Sequence, residues 1–355
     1  LCYGYFIEND FVAIEWSVTA TIFDIAERLK LSNSTVSKAL NGYDDVSVAT
    51  RELVRKTAAE LGYQPSAAAR SLRRGRTDKI GLFLNTSITY VVDYLSGVLP
   101  GAALTAQASG QNLLIYTITD NDPGHLLKVC RAGEIDGVIL FSTHYDQRTI
   151  NALLEARFPF VVMGREISDE RISYVAPDYY RGSYMAAAYL IELGHRRIAF
   201  TTRPELGTAN SARLSGYFDA LNDAGIAADE RLIVETRIQP DSGIGPTRHL
   251  LSLETPPTAI CAFHDLIATD AIRVAQEYGL RVPEDVSVIG FDGLRAGLMS
   301  TPQITTVTQP LEYIGRRATE LVCQQIAEPD RLPVQETVPV ELVVRGSTQR
   351  YAGST

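Results

Sequence analysis

The sequence predicts an α/β protein in which a small, basic, three-helix head precedes a larger, acidic body of parallel sheets. Three observations carry this prediction. From Ile80 onward short apolar runs alternate with helical stretches, the pattern of β-α-β units and parallel strands. Between residues 18 and 65 the apolar positions recur instead at helical spacing, in three short segments. Charge also divides along the chain. Residues 18–79 hold eleven Lys and Arg against seven Asp and Glu, a balance of +4; the whole chain is −9 and its first 17 residues −3, which leaves −10 on the rest. A basic head on an acidic body fits one small domain approaching phosphates while the remainder avoids them.

A chain of 355 residues is too long for one compact core, so two or three folding units are expected. No apolar run approaches the roughly 18 to 20 residues of a membrane helix; runs such as Val138–Phe141 and Phe160–Met163 break after four. Residues 1–17 carry Glu8, Asp10 and Glu15 but no Lys or Arg, unlike a secretory signal. They are expected to be a poorly ordered leader. Cys2, Cys130, Cys261 and Cys323 show no C-x-x-C spacing, which suits a reducing cytoplasm and predicts neither a metal site nor a cofactor.

The first helix of the head starts at Thr21, whose hydroxyl is expected to cap it, with Asp24 at its positive end; Ile22, Ile25, Ala26 and Leu29 share one face. A second begins at Ser32 as N-cap, turns Val36, Ala39 and Leu40 inward, and stops at Asn41-Gly42, where left-handed backbone is accessible. A third, from about Val48 to Leu61, is expected to gather Leu53, Val54, Ala58 and Leu61 and to end at Gly62. The second helix is then left to present Asn33, Ser34, Thr35, Ser37 and Lys38. Small polar groups plus a lysine suit hydrogen bonding to base edges in a major groove. After Gly62-Tyr63-Gln64-Pro65, the run from Ser66 to Thr77 holds a helix of about eight residues, too short to be stable alone. Leu72 among its arginines reads as a wedge for a minor-groove base step.

In the body, strands are predicted at Ile80–Leu84, Leu113–Tyr116, Val138–Phe141, Phe160–Met163, Ile198–Phe200, Ala259–Ala262 and Val286–Ile289. Ligands of such sheets sit at the carboxyl ends of the strands. Thr86 and Tyr90, Thr143, Arg165, His264 and Asp292 follow those ends. Asp265 is expected to brace a loop there. Tyr90, Tyr145 and Phe291 are candidates for stacking on a ligand face.

The runs Thr21-Ile22-Phe23-Asp24-Ile25-Ala26, Leu31-Ser32-Asn33-Ser34-Thr35-Val36-Ser37-Lys38-Ala39-Leu40-Asn41 and Gly62-Tyr63-Gln64-Pro65-Ser66-Ala67-Ala68-Ala69-Arg70-Ser71-Leu72 resemble the head and hinge of the lactose/galactose-repressor (LacI/GalR) family. Further family-like runs are Leu193-Gly194-His195-Arg196-Arg197-Ile198-Ala199, Arg213-Leu214-Ser215-Gly216-Tyr217 and Gly279–Asp292, so the resemblance spans residues 18 to 349. One departure is the first turn, which reads Leu29-Lys30-Leu31 where the family usually has Ala-Gly, and predicts a turn that is a little wider or more basic without loss of the helices.

The resemblance implies a helix-turn-helix DNA-binding head at 18–65, a hinge helix and linker at 66–79, and a type I periplasmic-binding-protein-like body at 80–355. That body is expected to be two-lobed, with an N-lobe at about 80–176 and 305–334 and a C-lobe at about 177–304 and 335–349. It also implies Thr21, Asn33, Ser34, Thr35, Ser37 and Lys38 at the operator, with Arg51 and Arg55 on the backbone, and Ala69, Leu72 and Arg73 where the hinge meets DNA. Arg213 and Asp292 are then the arginine and acid of the ligand cleft, joined by Thr86, Tyr90, Thr143, Arg165 and His264. The expected protein is a cytoplasmic homodimer that binds a pseudo-palindromic operator and a small-molecule effector. It reads as a repressor of carbohydrate genes with a sugar effector; a purine or sugar phosphate is the alternative. The sequence lacks H-E-x-x-H, G-x-S-x-G, Walker or G-x-G-x-x-G patterns in a strand-to-helix setting, so no enzyme is expected. A transporter's solute-binding protein would share the body but not the head.

Overall fold

The computed structural model describes residues 20–63, 75–85, 91–118, 124–141, 147–237 and 241–353. The chain divides after Thr77 into two compact units. The leader and the hinge residues Ala69, Leu72 and Arg73 lie outside the described residues, as do Thr86, Tyr90, Thr143 and Tyr145.

The first unit is built on α1 (Ile22–Leu29), α2 (Asn33–Leu40) and α3 (Val48–Glu60). Its core is Ile25, Ala26, Val36, Ala39, Val46, Val54 and Ala58. Thr21 and Asp24 cap the first helix reciprocally: the Thr21 side chain faces the Asp24 N–H, and the Asp24 carboxylate accepts from the Thr21 N–H at 2.6 Å and the Thr21 hydroxyl at 2.7 Å. These bonds hold Asp24 below the usual carboxylate range. Ser32 caps α2 by accepting from the Thr35 N–H at 3.0 Å. The first turn is tight, not widened. Lys30 takes φ 54°, and the Leu31 N–H reaches the Ala26 carbonyl at 3.0 Å, so a side chain occupies a left-handed position that favours glycine. At the end of α2, Asn41 stays right-handed and Gly42 takes the positive φ, 75°. In α3 the inward residues are Val54, Thr57 and Ala58. Leu53 is 51% exposed, because a neighbour of Val54 lies about 100° round the helix and misses the same face.

The second unit, from Asp78, holds two six-stranded sheets. The first has order β11-β5-β4-β3-β1-β2, from β1 (Lys79–Asn85), β2 (Asn112–Ile118), β3 (Gly137–Phe141), β4 (Phe160–Met163), β5 (Ser173–Pro177) and β11 (Gln335–Val338). The second has order β12-β10-β9-β8-β6-β7, from β6 (Ile198–Thr202), β7 (Ile233–Glu235), β8 (Ala259–Cys261), β9 (Ser287–Asp292), β10 (Thr305–Thr308) and β12 (Glu341–Val343). Among the described residues every pairing is parallel except β10 with β12. The two orders correspond strand for strand, so the sheets are two copies of one plan. In each the strand order reverses beside the first strand, where open parallel sheets hold ligands.

Helices cover the sheets: α4 (Val91–Ala108), α5 (His125–Arg131), α6 (Gln147–Glu155) and α12 (Leu311–Ala327) with the first, and α7 (Tyr179–Glu192), α8 (Thr208–Asp223), α9 (Ile244–Leu251), α10 (Asp265–Glu277) and α11 (Arg295–Met299) with the second. Glycines set two close crossings. A Cβ on Gly101 would lie 2.0 Å from the Glu312 carbonyl oxygen, and one on Gly315 would lie 2.0 Å from that of Val98, which brings α4 against α12. In the second lobe a Cβ on Gly216 would lie 2.2 Å from the Tyr180 carbonyl oxygen, where α8 meets α7.

The chain passes from the first sheet to the second after Pro177, back after Thr308 into α12, and across again after Val338. The last two passages fall a few residues beyond the expected boundaries at 305 and 335. Thr305–Thr308 pairs with β9 in the second sheet, and Gln335–Val338 pairs with β5 in the first. Each strand completes its ladder before the chain leaves.

Candidate functional sites

On the head, Asn33 and Ser34 are exposed at the start of α2. Thr35 is half-buried and its hydroxyl lies 2.8 Å from Ser32 Oγ. Ser37 accepts from Asn41 at 3.4 Å. The Lys38 ammonium is ion-paired with Asp45. Arg51 donates to the Gly42 carbonyl at 3.2 Å, and Arg55 and Thr21 are exposed. The face offered by α2 is polar and small, with cations behind it on α3. Such a face can read base edges while its flanks hold phosphates.

In the body the candidate ligand site is centred on Arg213. This residue on α8 is 3% exposed, carried inward by a helix that also buries Asn210, Gly216 and Tyr217. Its Nη1 donates to the Phe263 carbonyl and its Nη2 to Asp292 Oδ1 at 3.2 Å. The guanidinium lies 3.8 Å from the ring centre of Phe291, 4.1 Å from Phe263 and 4.6 Å from Tyr179, an arrangement in which rings and carboxylate compensate a buried cation. Asp292 ends β9 at φ 94°, a conformation unusual for a residue with a side chain and frequent at functional sites.

The first lobe reaches this pair through a relay. Gln309 Nε2 donates to Asp292 Oδ1, and Gln309 Oε1 accepts from the Tyr94 hydroxyl at 2.9 Å. Tyr94 sits on α4 with its ring 5.0 Å from that of Phe141. The Tyr179 hydroxyl donates to the Gly164 carbonyl at 2.7 Å, one residue before the half-buried Arg165.

His264 caps α10, its Nδ1 accepting from the Ile267 N–H at 3.2 Å. Burial, then the charges of Arg203 and Arg213, hold it well below its usual pKa, so the ring is neutral with its proton on Nε2. Asp265 accepts from the Leu294 N–H at 2.5 Å and the Thr306 hydroxyl at 2.6 Å, tying α10 to the turn after β9. Burial pushes its carboxyl up to about 7 against the Thr306 hydrogen bond.

The structure thus brings Arg213, Asp292 and His264 together, with Arg165 linked through Gly164 and Tyr179. Phe291 does not serve as a stacking surface for a ligand: it is 3% exposed, with the guanidinium over its ring and Gly182 at its edge. The strand-end residues expected from the sequence did not include Tyr94, Tyr179, Arg203 or Gln309. Arg203 and Gln309 directly follow β6 and β10, so the strand-end rule reaches both once those strands are bounded.

Among the described residues no helix is long and apolar enough to cross a membrane, and no three His, Cys, Asp or Glu are grouped to hold a metal. The description of bacterial regulatory proteins of the lacI family matches residues 21–66, and that of a periplasmic binding protein-like domain matches 187–348. The HTH-type transcriptional regulator CelR of Thermobifida fusca is 36% identical over 332 residues, covering 92% of this chain and 98% of its own. The HTH-type transcriptional repressor PurR of Escherichia coli O139:H28 is 33% identical over 332 residues, covering 92% and 96%. Among solved structures, a CelR–cellobiose complex matches at TM-score 0.72 and 33% identity over 92% of this chain and 99% of that one. A lac repressor dimer bound to operator and the anti-inducer ONPF shares the fold, at TM-score 0.79 and 24% identity over 93% and 99%.

Fold and site together define a ligand-responsive, DNA-binding regulator of transcription. The chain belongs to the LacI family.

Proposed function

We propose that this regulator is a cytoplasmic repressor of carbohydrate uptake or catabolism genes. It binds a pseudo-palindromic operator as a homodimer and takes a neutral sugar between its lobes. The observation that carries the ligand class is the buried Asp292 carboxylate beside Arg213, with Gln309 and Tyr94 closing the relay from the other lobe. Carboxylate, guanidinium and amide together suit a polyol. A phosphate would meet Asp292 in a poorly screened site. The similarity to a regulator solved with cellobiose supports the sugar class. A purine or a sugar phosphate is the alternative.

Base readout falls to Asn33, Ser34, Thr35, Ser37 and Lys38, with Thr21, Arg51 and Arg55 positioning the helix. Ala69, Leu72 and Arg73 engage the minor groove at the centre of the operator. The effector acts by binding one lobe arrangement better than the other, which changes the spacing of the paired hinges.

The test is calorimetry on the full chain with cellobiose and related sugars, sugar phosphates, and purine bases, followed by operator titrations with the ligand that binds. A neutral sugar that binds and shifts operator affinity is the expected result. Binding of a purine or a sugar phosphate alone would overturn the sugar class.

A further inference from the structure

The loop that follows α2 carries two adjacent carboxylates, Asp44 and Asp45, beside cations assigned to DNA. It is held against the helix, since the Tyr43 N–H donates to the Lys38 carbonyl at 3.1 Å and Val46 is buried in the head core. In this setting Asp45 forms an ion pair with the Lys38 ammonium, while Asp44 stands 3.7 Å from Arg51, which also donates to the Gly42 carbonyl.

Affinity for DNA does not explain these acids, because carboxylates near a phosphate backbone repel it. Stability explains them poorly too. The Lys38 and Asp45 side chains are 44% and 53% exposed, and pairs so exposed contribute little.

We propose that Asp45 is a specificity-determining residue: it serves as an internal counter-ion that lets Lys38 read a base edge but penalises its use on a phosphate. The inference rests on the reading that α2 enters the major groove. An ammonium has three N–H donors, so Lys38 can keep Asp45 and still donate to a purine edge, which carries no net charge. A phosphate brings its own negative charge close to the carboxylate, and Lys38 must leave Asp45 or hold two anions together. Non-specific DNA offers mainly phosphates, so Asp45 weakens non-specific binding more than operator binding. Asp44 adds to the same effect at Arg51.

The experiment uses the full chain with Asp45→Asn, Glu60→Gln and Lys38→Ala, titrated by fluorescence anisotropy over a range of salt. One duplex is selected from random sequence; the other is a scrambled version of it. Glu60, paired with Arg28 at 3.3 Å, provides the same charge change at another ion pair of the head. Asp45→Asn should tighten scrambled-duplex binding about two- to fivefold more than operator binding. It should also steepen the salt dependence on the scrambled duplex by about one counter-ion, whereas Glu60→Gln moves both duplexes alike. If Asp45→Asn behaves as Glu60→Gln while Lys38→Ala weakens operator binding, the counter-ion role is wrong and the groove reading stands. If Lys38→Ala changes neither duplex, both fall.

Discussion

Arg213 and Asp292 lie 79 residues apart in the chain and meet at 3.2 Å in a pocket of three aromatic rings, their side chains 4% and 0% exposed. Removing one partner of so buried a pair leaves the other charged and desolvated, at a cost of about 3–5 kcal/mol. Arg213→Ala should therefore lower the body's stability by that order and reduce effector binding at least tenfold. Asp292→Asn, which keeps shape and loses charge, should weaken the effector with a smaller stability loss. Urea denaturation and calorimetry on both variants check this; a sugar bound equally well by wild type and both variants would remove the pair from the ligand site.

Asp265 gives the body a defined pH response. An unfolded aspartate titrates near 3.9, whereas burial pushes the native carboxyl up to about 7. Between about pH 4 and 7 the native state thus keeps a proton that the unfolded chain has released. Its contribution to stability is fullest below pH 4 and declines as pH rises towards 7. Asp265→Asn stays neutral throughout and loses this dependence. The stability difference between variant and wild type should move in the variant's favour from pH 5 to 7, then level off, as read by urea midpoints. A constant difference over that range would place the titration elsewhere.

The head was largely legible because its signals are local: Ser32 before a periodic stretch, Gly42 after it, and Val36 and Ala39 on one face. Leu53 was misplaced because two adjacent apolar residues leave the phase of a helix open. Strands rich in aliphatic residues, such as β3 and β4, announce themselves. By contrast, β10 reads Thr-Thr-Val-Thr, β11 reads Gln-Glu-Thr-Val, and β12 is an edge strand of only three residues, so their sheet membership depends on partners far along the chain. The cleft was half legible for a similar reason. Asp292 follows a strand end and Arg213 came through resemblance, whereas the relay through Tyr94 and Gln309 joins positions 215 residues apart, which no local spacing encodes.

The glycine crossings predict opposite outcomes for one kind of substitution. At Gly315 a methyl group would sit 2.0 Å from the Val98 carbonyl oxygen, and at Gly216 it would sit 2.2 Å from that of Tyr180. Neither obstacle is a flexible side chain, so the helices must separate. Gly315→Ala and Gly216→Ala should each destabilise the body by about 1–3 kcal/mol or more. At Gly245, within α9, a Cβ would meet no atom within 4 Å, and Gly245→Ala should gain up to about 1 kcal/mol through helix propensity. Thermal melts of the three variants separate these cases; a Gly315→Ala protein as stable as wild type would show that α4 and α12 yield without cost.

Recognition by α2 predicts different responses from two groups of side chains on the head. Asn33 and Ser34 are exposed at the start of the helix, where base edges are within reach of a helix laid in the major groove. Removing either side chain's hydrogen bond to a base should cost roughly 1–3 kcal/mol on the matched half-site and little on a scrambled duplex. Exchanging the pair, as Asn33→Ser with Ser34→Asn, should change which half-site is preferred. Arg55 is exposed on α3; on the proposal that it meets phosphates, Arg55→Ala should weaken all duplexes about equally and flatten the salt dependence by about one counter-ion. In the hinge, Leu72→Ala should reduce operator affinity and DNA bending while leaving effector binding intact, because a wedge acts on the base step and not on the cleft. Selection from a random duplex library, with bending and effector titrations for the hinge variant, reads all three. An exchanged pair that still selects the wild-type half-site would mean that another part of the head reads the bases.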